Sequence, residues 1–266
     1  MLPLSGPEQP VDHSSLSEAL RSGFQAHGLE PKVVTAVGGR WPKITSLAID
    51  LTGAEASRAL RPPRKSEKTG EHLEIETFEF RAHPLSIEKI PVIIDAHFNA
   101  AEAEFAQDGK GVRFLQLRSA RSGEVDVTIT HADLEKALLT VAAEAASKHG
   151  AEVKSARLEI ETPTPRTLVF RAAVTAKVFI MKTTVRVRGR IDLDDALNAQ
   201  VSELVAEGEG MLSSIVESGL RPHLAKLERE KLALGSLVAG GLRVSDVAIS
   251  AGATLRLHAT FAGATG

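Results

Sequence analysis

The sequence contains no cysteine, and this absence removes several kinds of chemistry at once. Without thiols the chain forms no disulfide, offers no thiolate ligand to a metal ion and carries no cysteine nucleophile. Tyrosine is also absent and aromatic residues make up only 4% of the chain, so the stacking platforms that bind single-stranded nucleic acid are missing. A net charge of −2 provides no positive field either. We therefore expect no nucleic-acid partner.

Long apolar runs are missing as well. No stretch of about 18 consecutive apolar residues occurs, so the sequence predicts no membrane-spanning helix. The N-terminal residues lack the basic start and apolar centre of a secretory signal, and we expect a cytoplasmic protein. The 266 residues are 43% hydrophobic and 25% charged, which is the balance of an ordinary globular protein.

Alternating apolar residues predict long strands through much of the chain. From Ile90 to Ala100 every second residue is apolar, which is typical of an antiparallel strand with one buried face. The alternation shifts by one residue after Ala100, and a comparable shift occurs between Ile75 and Phe78. Each shift predicts a bulge or a sharp bend, because the apolar face would otherwise turn towards water. Two shifts in two long strands indicate a strongly curved sheet.

Helical periodicity occurs in fewer places. Thr130–His149 is a predicted helix in which Thr130 and Asp133 have the spacing of a capping box. Met211–Leu234 is the longest predicted helix and carries a broad apolar stripe. A sheet with one apolar face and a helix with an apolar stripe need each other for burial. The sequence thus predicts an α+β fold with a long, strongly curved antiparallel sheet wrapped around a long C-terminal helix.

The domain organisation leaves two interpretations open. Residues 1–13 are rich in proline and polar residues and predict a flexible N-terminal arm, followed by a single α+β domain over residues 14–266. The segments Thr52–Leu60 and Thr130–Leu138 share a threonine, an alanine, an acid, a base and a final Ala-Leu at matching positions. They are either two unrelated capped helices or parts of two strand–helix repeats with a boundary near residue 120.

Two short segments resemble a known family. Ile129-Thr-His-Ala-Asp-Leu-Glu-Lys-Ala-Leu-Leu139 leads from a strand into a helix, and Leu242-Arg-Val-Ser-Asp-Val-Ala-Ile-Ser-Ala-Gly252 is a late strand. Together with the order of the elements, these segments resemble the LmeA-like family of bacterial phospholipid-binding proteins, which looks like a branch of the tubular lipid-binding superfamily. The resemblance implies a sheet curled around a long helix, with acyl chains held between them.

The expected ligand-binding residues are apolar side chains on the strands and on the long predicted helix. A gap between these elements suits a lipid or another apolar small molecule, and peripheral contact with a membrane is compatible with such a ligand. The set comprises Phe98, Phe105, Phe114, Phe170, Leu212, Ile215, Val216 and Leu220. Alternatively, the chain fills the gap itself and serves as a structural or interaction module without a ligand. The sequence does not distinguish between oligomeric states.

No pattern of residues indicates an enzyme, a metal site or a resident cofactor. The histidines lack the spacing of a zinc-binding helix, and the Gly-x-Ser-x-Gly and phosphate-loop motifs are absent. His97, between Asp95 and Asn99 on one strand face, is the one arrangement that hints at acid–base chemistry. We therefore predict a non-catalytic protein and keep His97 as the site that an enzyme would use.

Two charged clusters are interpreted as solvated surface. The first combines Asp192, Asp194 and Asp195, which match only the start of a calcium-binding loop and predict a polar strand end. The second is a row of arginines on one face of a strand, which would suit a phosphate group or would form a charged outer face paired with acids. We favour the outer face for this row, which consists of Arg186, Arg188 and Arg190.

Overall fold

The architecture is described from a computed structural model, which covers residues 1–6, 8–56, 66–147, 150–178, 181–209, 231–233 and 242–262. The elements of the first half are β1 (Leu2–Pro3), α1 (His13–Ala26), β2 (Val33–Val37), β3 (Lys43–Asp50), β4 (Glu55–Ala56), β5 (Ser66–Ile87), β6 (Ile90–Asp108) and β7 (Arg113–Thr130). Those of the second half are α2 (His131–Ser147), β8 (Ala151–Thr164), β9 (Thr167–Val178), β10 (Met181–Leu193), β11 (Asn198–Glu209), β12 (Lys231–Ala233), β13 (Arg243–Ala251) and β14 (Thr254–Ala262).

The strands form two sheets. One sheet has nine strands, with the path β13-β14-β7-β6-β5-β3-β2 and with β1 added to β7 and β4 added to β5. Within it β3 and β4 run parallel to β5, whereas β6 is antiparallel to both of its neighbours. The other sheet has five strands in the order β12-β11-β10-β9-β8, and all of its neighbours are antiparallel.

The chain divides into two compact units. The first unit comprises Met1–Thr128, Leu237–Asp246 and His258–Gly266, and the second comprises Ile129–Ser236 and Val247–Leu257. Within the described residues, no helix of either unit is long and apolar enough to cross a membrane.

Helix α1 contributes directly to the core of the first unit. It begins where the Asp12 carboxylate accepts a hydrogen bond from the Ser15 backbone N–H at 2.7 Å and Ser15 Oγ accepts one from the Asp12 N–H at 3.1 Å. Leu16, Leu20 and Phe24 then follow at four-residue spacing, which places them on one face of the helix. They are 0%, 0% and 3% exposed, so this face is fully inserted into the core.

The two predicted shifts in alternation are confirmed in the long strands. On β6 the buried positions change from Phe98 to Ala101, and Ala100 between them has a φ of 47°. On β5 they change from Ile75 to Phe78, which are 1% and 3% exposed. The register between β5 and β6 is the same on both sides of these positions, with Ile75 opposite Ala101 and Thr77 opposite Asn99, so the buried side changes without an inserted residue. Of the two predicted causes, this favours a bend over a bulge.

The predicted fold class is wrong. The structure contains 66% strand and 15% helix, arranged as two sheets, and the described residues contain two helices of 14 and 17 residues instead of a long C-terminal one. Most of the predicted helix Met211–Leu234 lies outside the described residues, but Lys231–Ala233 form β12 and pair with Asn198–Gln200. Alternation reveals which residues share a face, whereas strand pairing is decided by distant parts of the chain. The sequence pattern therefore could not show whether the strands form one sheet or two.

The N-terminal segment is attached to the nine-stranded sheet, although its composition predicts a flexible arm. Leu2 pairs with Leu115 and Pro3 with Phe114, so β1 lies against β7. Leu2 and Leu4 are each 8% exposed, and burial of such side chains holds the segment in place.

The suggested repeat has no common structure in the described residues. Thr52 and Gly53 form a turn and Glu55–Ala56 form β4, so the predicted helix at this position is not formed up to residue 56. At the second copy the predicted helix is present as α2, where Thr130 Oγ1 accepts a hydrogen bond from the Asp133 N–H at 3.1 Å. Thr130 is thus confirmed as the N-cap of α2, and its hydroxyl also donates to the Asp133 carboxylate.

Candidate functional site

Three of the predicted ligand-binding phenylalanines are buried within the first unit. Phe98, Phe105 and Phe114 are 4%, 2% and 4% exposed. Phe98 stacks on Phe78 with 6.0 Å between ring centroids and meets Phe261 edge-on at 5.3 Å. Their neighbours are the protein's own side chains, so these three positions are core.

The cavity beside Phe105 is too small for an acyl chain. Its volume is about 20 Å³, which is room for about one water molecule. Leu4, Ala19 and Arg113 also border it. This part of the predicted groove is therefore filled by the chain itself.

The remaining predicted residues lie elsewhere. Phe170 is a partly exposed residue of β9 and belongs to the second unit. Its ring extends over Gly189 of β10, where an added Cβ would lie 2.7 Å from Phe170 Cζ and 2.8 Å from Leu204 Cδ1. The other four predicted residues lie outside the described residues: Leu212, Ile215, Val216 and Leu220.

The five-stranded sheet has one continuous apolar face. Among the predicted ligand-binding residues that the structure describes, Phe170 alone lies on it. The cross-strand register aligns Leu158, Ala172, Val187 and Ala206 in one row across β8, β9, β10 and β11. The rows on either side are also apolar, and we call all three together the apolar face: Ala156, Leu158, Ile160, Phe170, Ala172, Val174, Val185, Val187, Gly189, Leu204, Ala206 and Gly208. Gly189 is buried and every other member is partly exposed.

The sequence pattern predicted part of this apolar face. Val185, Val187 and Gly189 alternate with arginines along one strand, and this pattern predicts a strand with an apolar side. The small residues Ala172 and Ala206 become relevant only when the register places them beside Val187. Residues of that size carry no pattern of their own, and so the sequence did not identify them.

The opposite face of the same sheet is charged, as predicted for the arginine row. Arg186 forms an ion pair with Glu209, and Arg190 Nε lies 2.7 Å from the Asp192 carboxylate. The Glu209 carboxylate raises the pKa of the Arg186 guanidinium, and both partners are about half exposed. The interpretation as a solvated outer face is confirmed for Arg186 and Arg190.

The acidic cluster is a polar strand end, as predicted. Arg190 donates to Asp192 and holds the pKa of that carboxyl below its usual range. Asp194 accepts a hydrogen bond from the Asn198 backbone N–H at 2.8 Å, which shapes the turn between β10 and β11. Across the part of the chain that the structure describes, no group of three or more histidine, aspartate or glutamate side chains is suited to hold a metal ion.

His97 lies in a polar recess of about 190 Å³ on the first unit. The register aligns it with Glu79 on β5 and with Glu124 on β7. Its Nδ1 is 3.9 Å from the Glu79 carboxylate and its Nε2 is 3.1 Å from Asn99 Oδ1. The recess also includes Asp95 and other charged residues.

Two further histidines among the described residues of the first unit lie within hydrogen-bonding distance of a carboxylate. His83 Nε2 is 2.7 Å from Asp95, and His258 Nδ1 is 3.1 Å from Asp126. The first pair is about half exposed and the second is 33% and 22% exposed. The hydrogen-bond partners of these imidazoles, and of His97, are carboxylates and an amide oxygen. A hydroxyl nucleophile is not among these partners.

Comparisons with protein-family models, with curated proteins and with solved structures find no match to this chain. The resemblance to the LmeA-like family stays a prediction that rests on two short segments and on the order of the elements. The function must therefore be inferred from the surfaces of the two units.

Proposed function

We propose that this protein binds an apolar ligand without catalysis, and that a hydrocarbon chain such as the acyl chain of a lipid lies on the apolar face of the five-stranded sheet. The observation that carries the proposal is that apolar side chains share one face across four strands and remain partly exposed. Core side chains of the first unit such as Leu20 and Ile44 are 0% exposed. An apolar patch of this extent is typical of an interaction site.

The shape of the apolar face favours a narrow ligand. Its central row contains the small side chains Ala172, Val187 and Ala206, whereas Phe170 and Leu204 project in the next row. Rows on one sheet face are about 7 Å apart, since a strand rises about 3.4 Å per residue. That width accommodates a single hydrocarbon chain. An α-helix, with a diameter of about 10 Å, is too wide to enter one row.

The energetics also suit a hydrocarbon chain. Each methylene group that leaves water contributes about 0.8 kcal/mol, so a chain crossing four strands gains several kcal/mol before its ordering is subtracted. Charged side chains such as Arg186 and Arg190 lie on the opposite face and do not compete with this contact.

A second candidate function is a structural or interaction module without a ligand. The packed core of the first unit favours it, because Phe98 and Phe105 contact the protein itself where the sequence predicted an open groove. In that case the apolar face would contact another protein.

The first experiment is native mass spectrometry of the purified protein, followed by organic extraction and titration with a fluorescent fatty acid. Val187→Asn places an amide in the central row, where its hydrogen-bonding groups lose water when a chain binds. We expect its affinity for the fatty acid to fall by about tenfold or more. Arg188→Asn changes the next residue of the same strand on the opposite face, and we expect unchanged affinity.

Two outcomes would contradict the proposal. A wild-type protein that carries no extractable acyl ligand and takes up no fatty acid supports the interaction module instead. A Val187→Asn variant that loses its circular dichroism signal, while Arg188→Asn keeps it, identifies Val187 as a core residue and not a ligand contact.

A further inference from the structure

The edge strand β8 is covered by two side chains of α2. The carboxylate of Glu135 accepts a hydrogen bond from the Leu158 backbone N–H at 2.9 Å, and His131 Nε2–H donates to the Leu158 carbonyl oxygen. His131 and Glu135 are four residues apart and therefore lie on one side of the helix. They occupy the N–H and the carbonyl group of Leu158, which this edge strand would otherwise offer to another strand.

These contacts lie at the centre of a self-complementary segment. Backbone groups two residues apart point in the same direction along a strand, so Ala156 and Ile160 share the orientation of Leu158. Suppose that Leu158 lies opposite Leu158 of an antiparallel second copy. Arg157 then lies opposite Glu159 of that copy, and Glu159 lies opposite its Arg157. Cross-strand pairs of opposite charge stabilise a sheet. Both charged side chains are exposed, and the ion pair that Glu159 already makes with Arg171 is long, at 3.8 Å.

Helix α2 is weakly held by apolar contacts. None of its residues is buried, and Leu139 and Val141 are 36% and 64% exposed. Polar contacts of its first turns attach it to β8 and to the turn between β13 and β14, where the His131 backbone N–H donates to the Ala253 carbonyl at 3.2 Å. Because little apolar area holds α2, loss of the polar contacts should release it.

We propose that α2 is a removable cap on the β8 edge, and that the uncovered edge pairs with β8 of a second copy of this chain. The pairing is antiparallel, has two-fold symmetry and is centred on Leu158, so that each copy contributes the same surface. This inference is independent of ligand binding, because it concerns the edge of the sheet and not its apolar face.

The test removes the cap with the double variant His131→Ala/Glu135→Ala. At a concentration low enough for the variant to keep the wild-type mass, Leu158 N–H has lost its charged acceptor, and we expect its amide to exchange with solvent about tenfold faster or more. Light scattering coupled to size exclusion should show an average mass that rises with protein concentration towards double the wild-type value.

The first unit offers a matched control. Ser17 Oγ accepts a hydrogen bond from the Ala36 N–H at 2.8 Å, and Arg21 donates to the Val34 carbonyl at 3.4 Å, so α1 covers β2 in a similar way. Since α1 is held by buried side chains such as Leu20, the double variant Ser17→Ala/Arg21→Ala should keep the wild-type mass.

Charge variants test the register. On the uncapped background, Arg157→Glu places two acids opposite one another at each pair and Glu159→Arg places two bases there, so each variant alone should keep the wild-type mass. An equal mixture of the two restores both pairs of opposite charge, and we expect the heavier species to return.

Several results would overturn the inference. The uncapped variant shows that the edge does not self-associate if its Leu158 amide exchanges faster while its mass stays at the wild-type value. An unchanged Leu158 exchange rate at that low concentration, where no second copy protects the amide, shows that the two side chains do not cover the edge. A heavier species that survives Arg157→Glu excludes the register. If the double variant does not fold, Glu135→Ala alone is judged by the same criteria, with Glu135→Gln as the control that retains an acceptor.

Discussion

The two units protect a sheet edge with the same device. In each, a helix directs two side chains, four residues apart, at outward-facing backbone groups of an edge strand. Ser17 and Arg21 of α1 do this at β2, and His131 and Glu135 of α2 do it at β8. An uncovered strand edge is a template for unwanted pairing, so side chains that occupy its hydrogen-bonding groups reduce that risk.

The units differ in what holds the helix to the sheet. Helix α1 inserts Leu16, Leu20 and Phe24 fully into the core, whereas no residue of α2 is buried. The first attachment is dominated by apolar burial and the second by a few polar contacts. Similar hydrogen bonding therefore does not mean similar stability, because burial contributes most of the free energy that keeps an element in place.

The largest expected effect comes from shortening a leucine in each helix. Leu20→Ala removes a side chain that is 0% exposed and should lower the free energy of unfolding by about 2–5 kcal/mol. Leu139→Ala changes a side chain that is 36% exposed, and we expect a loss of about 0.5 kcal/mol. Urea titrations of both variants measure the difference, and equal losses would show that the two helices are held alike.

A glycine in each unit provides the next comparison. A Cβ on Gly23 of α1 would lie 2.2 Å from the backbone oxygen of Pro3, so Gly23→Ala must displace β1 and should cost about 1–3 kcal/mol. A Cβ on Gly189 would meet the ends of the Phe170 and Leu204 side chains at 2.7 and 2.8 Å, and such ends can rotate away. Gly189→Ala should therefore cost less, as thermal unfolding of both variants can establish. The reverse order would mean that β1 is not firmly packed.

The smallest effect concerns pH and the caps of the two helices. The Ser15 backbone N–H lowers the pKa of the Asp12 carboxyl below its ordinary value. Because the folded pKa lies below the unfolded one, the ionised cap stabilises α1 above the ordinary value, and this contribution is lost as pH falls through the folded pKa. The Thr130 hydroxyl that caps α2 does not titrate in this range.

The matching variant is Asp12→Asn, which keeps a side-chain oxygen for the cap but removes its charge. We expect the melting temperatures of the variant and the wild type to be similar at neutral pH. In acid the melting temperature of the wild type should fall further than that of the variant. If the two melting temperatures fall equally with pH, the charge of Asp12 contributes nothing to stability.

Local patterns were predictable from the sequence because their causes are local. The N-cap of α2 depends on Thr130 and Asp133, and the shifts at Ala100 and near Phe78 follow from alternation within single strands. The candidate site was less predictable. Phe98 and Phe105 are apolar strand residues, a pattern that fits both a core and a ligand-binding groove. The packing of other elements around them decides that they belong to the core.

The sequence by itself determined which strand faces are apolar, where α2 begins, and that cysteine chemistry is absent, since these depend on residue identity and on short-range spacing. The tertiary structure decided that the strands form two sheets, that Ala172, Val187 and Ala206 lie in one row, and that Glu135 meets the edge of β8. The physical reason is that register and pairing join residues far apart in the chain, and no local pattern specifies which of several apolar strands will meet.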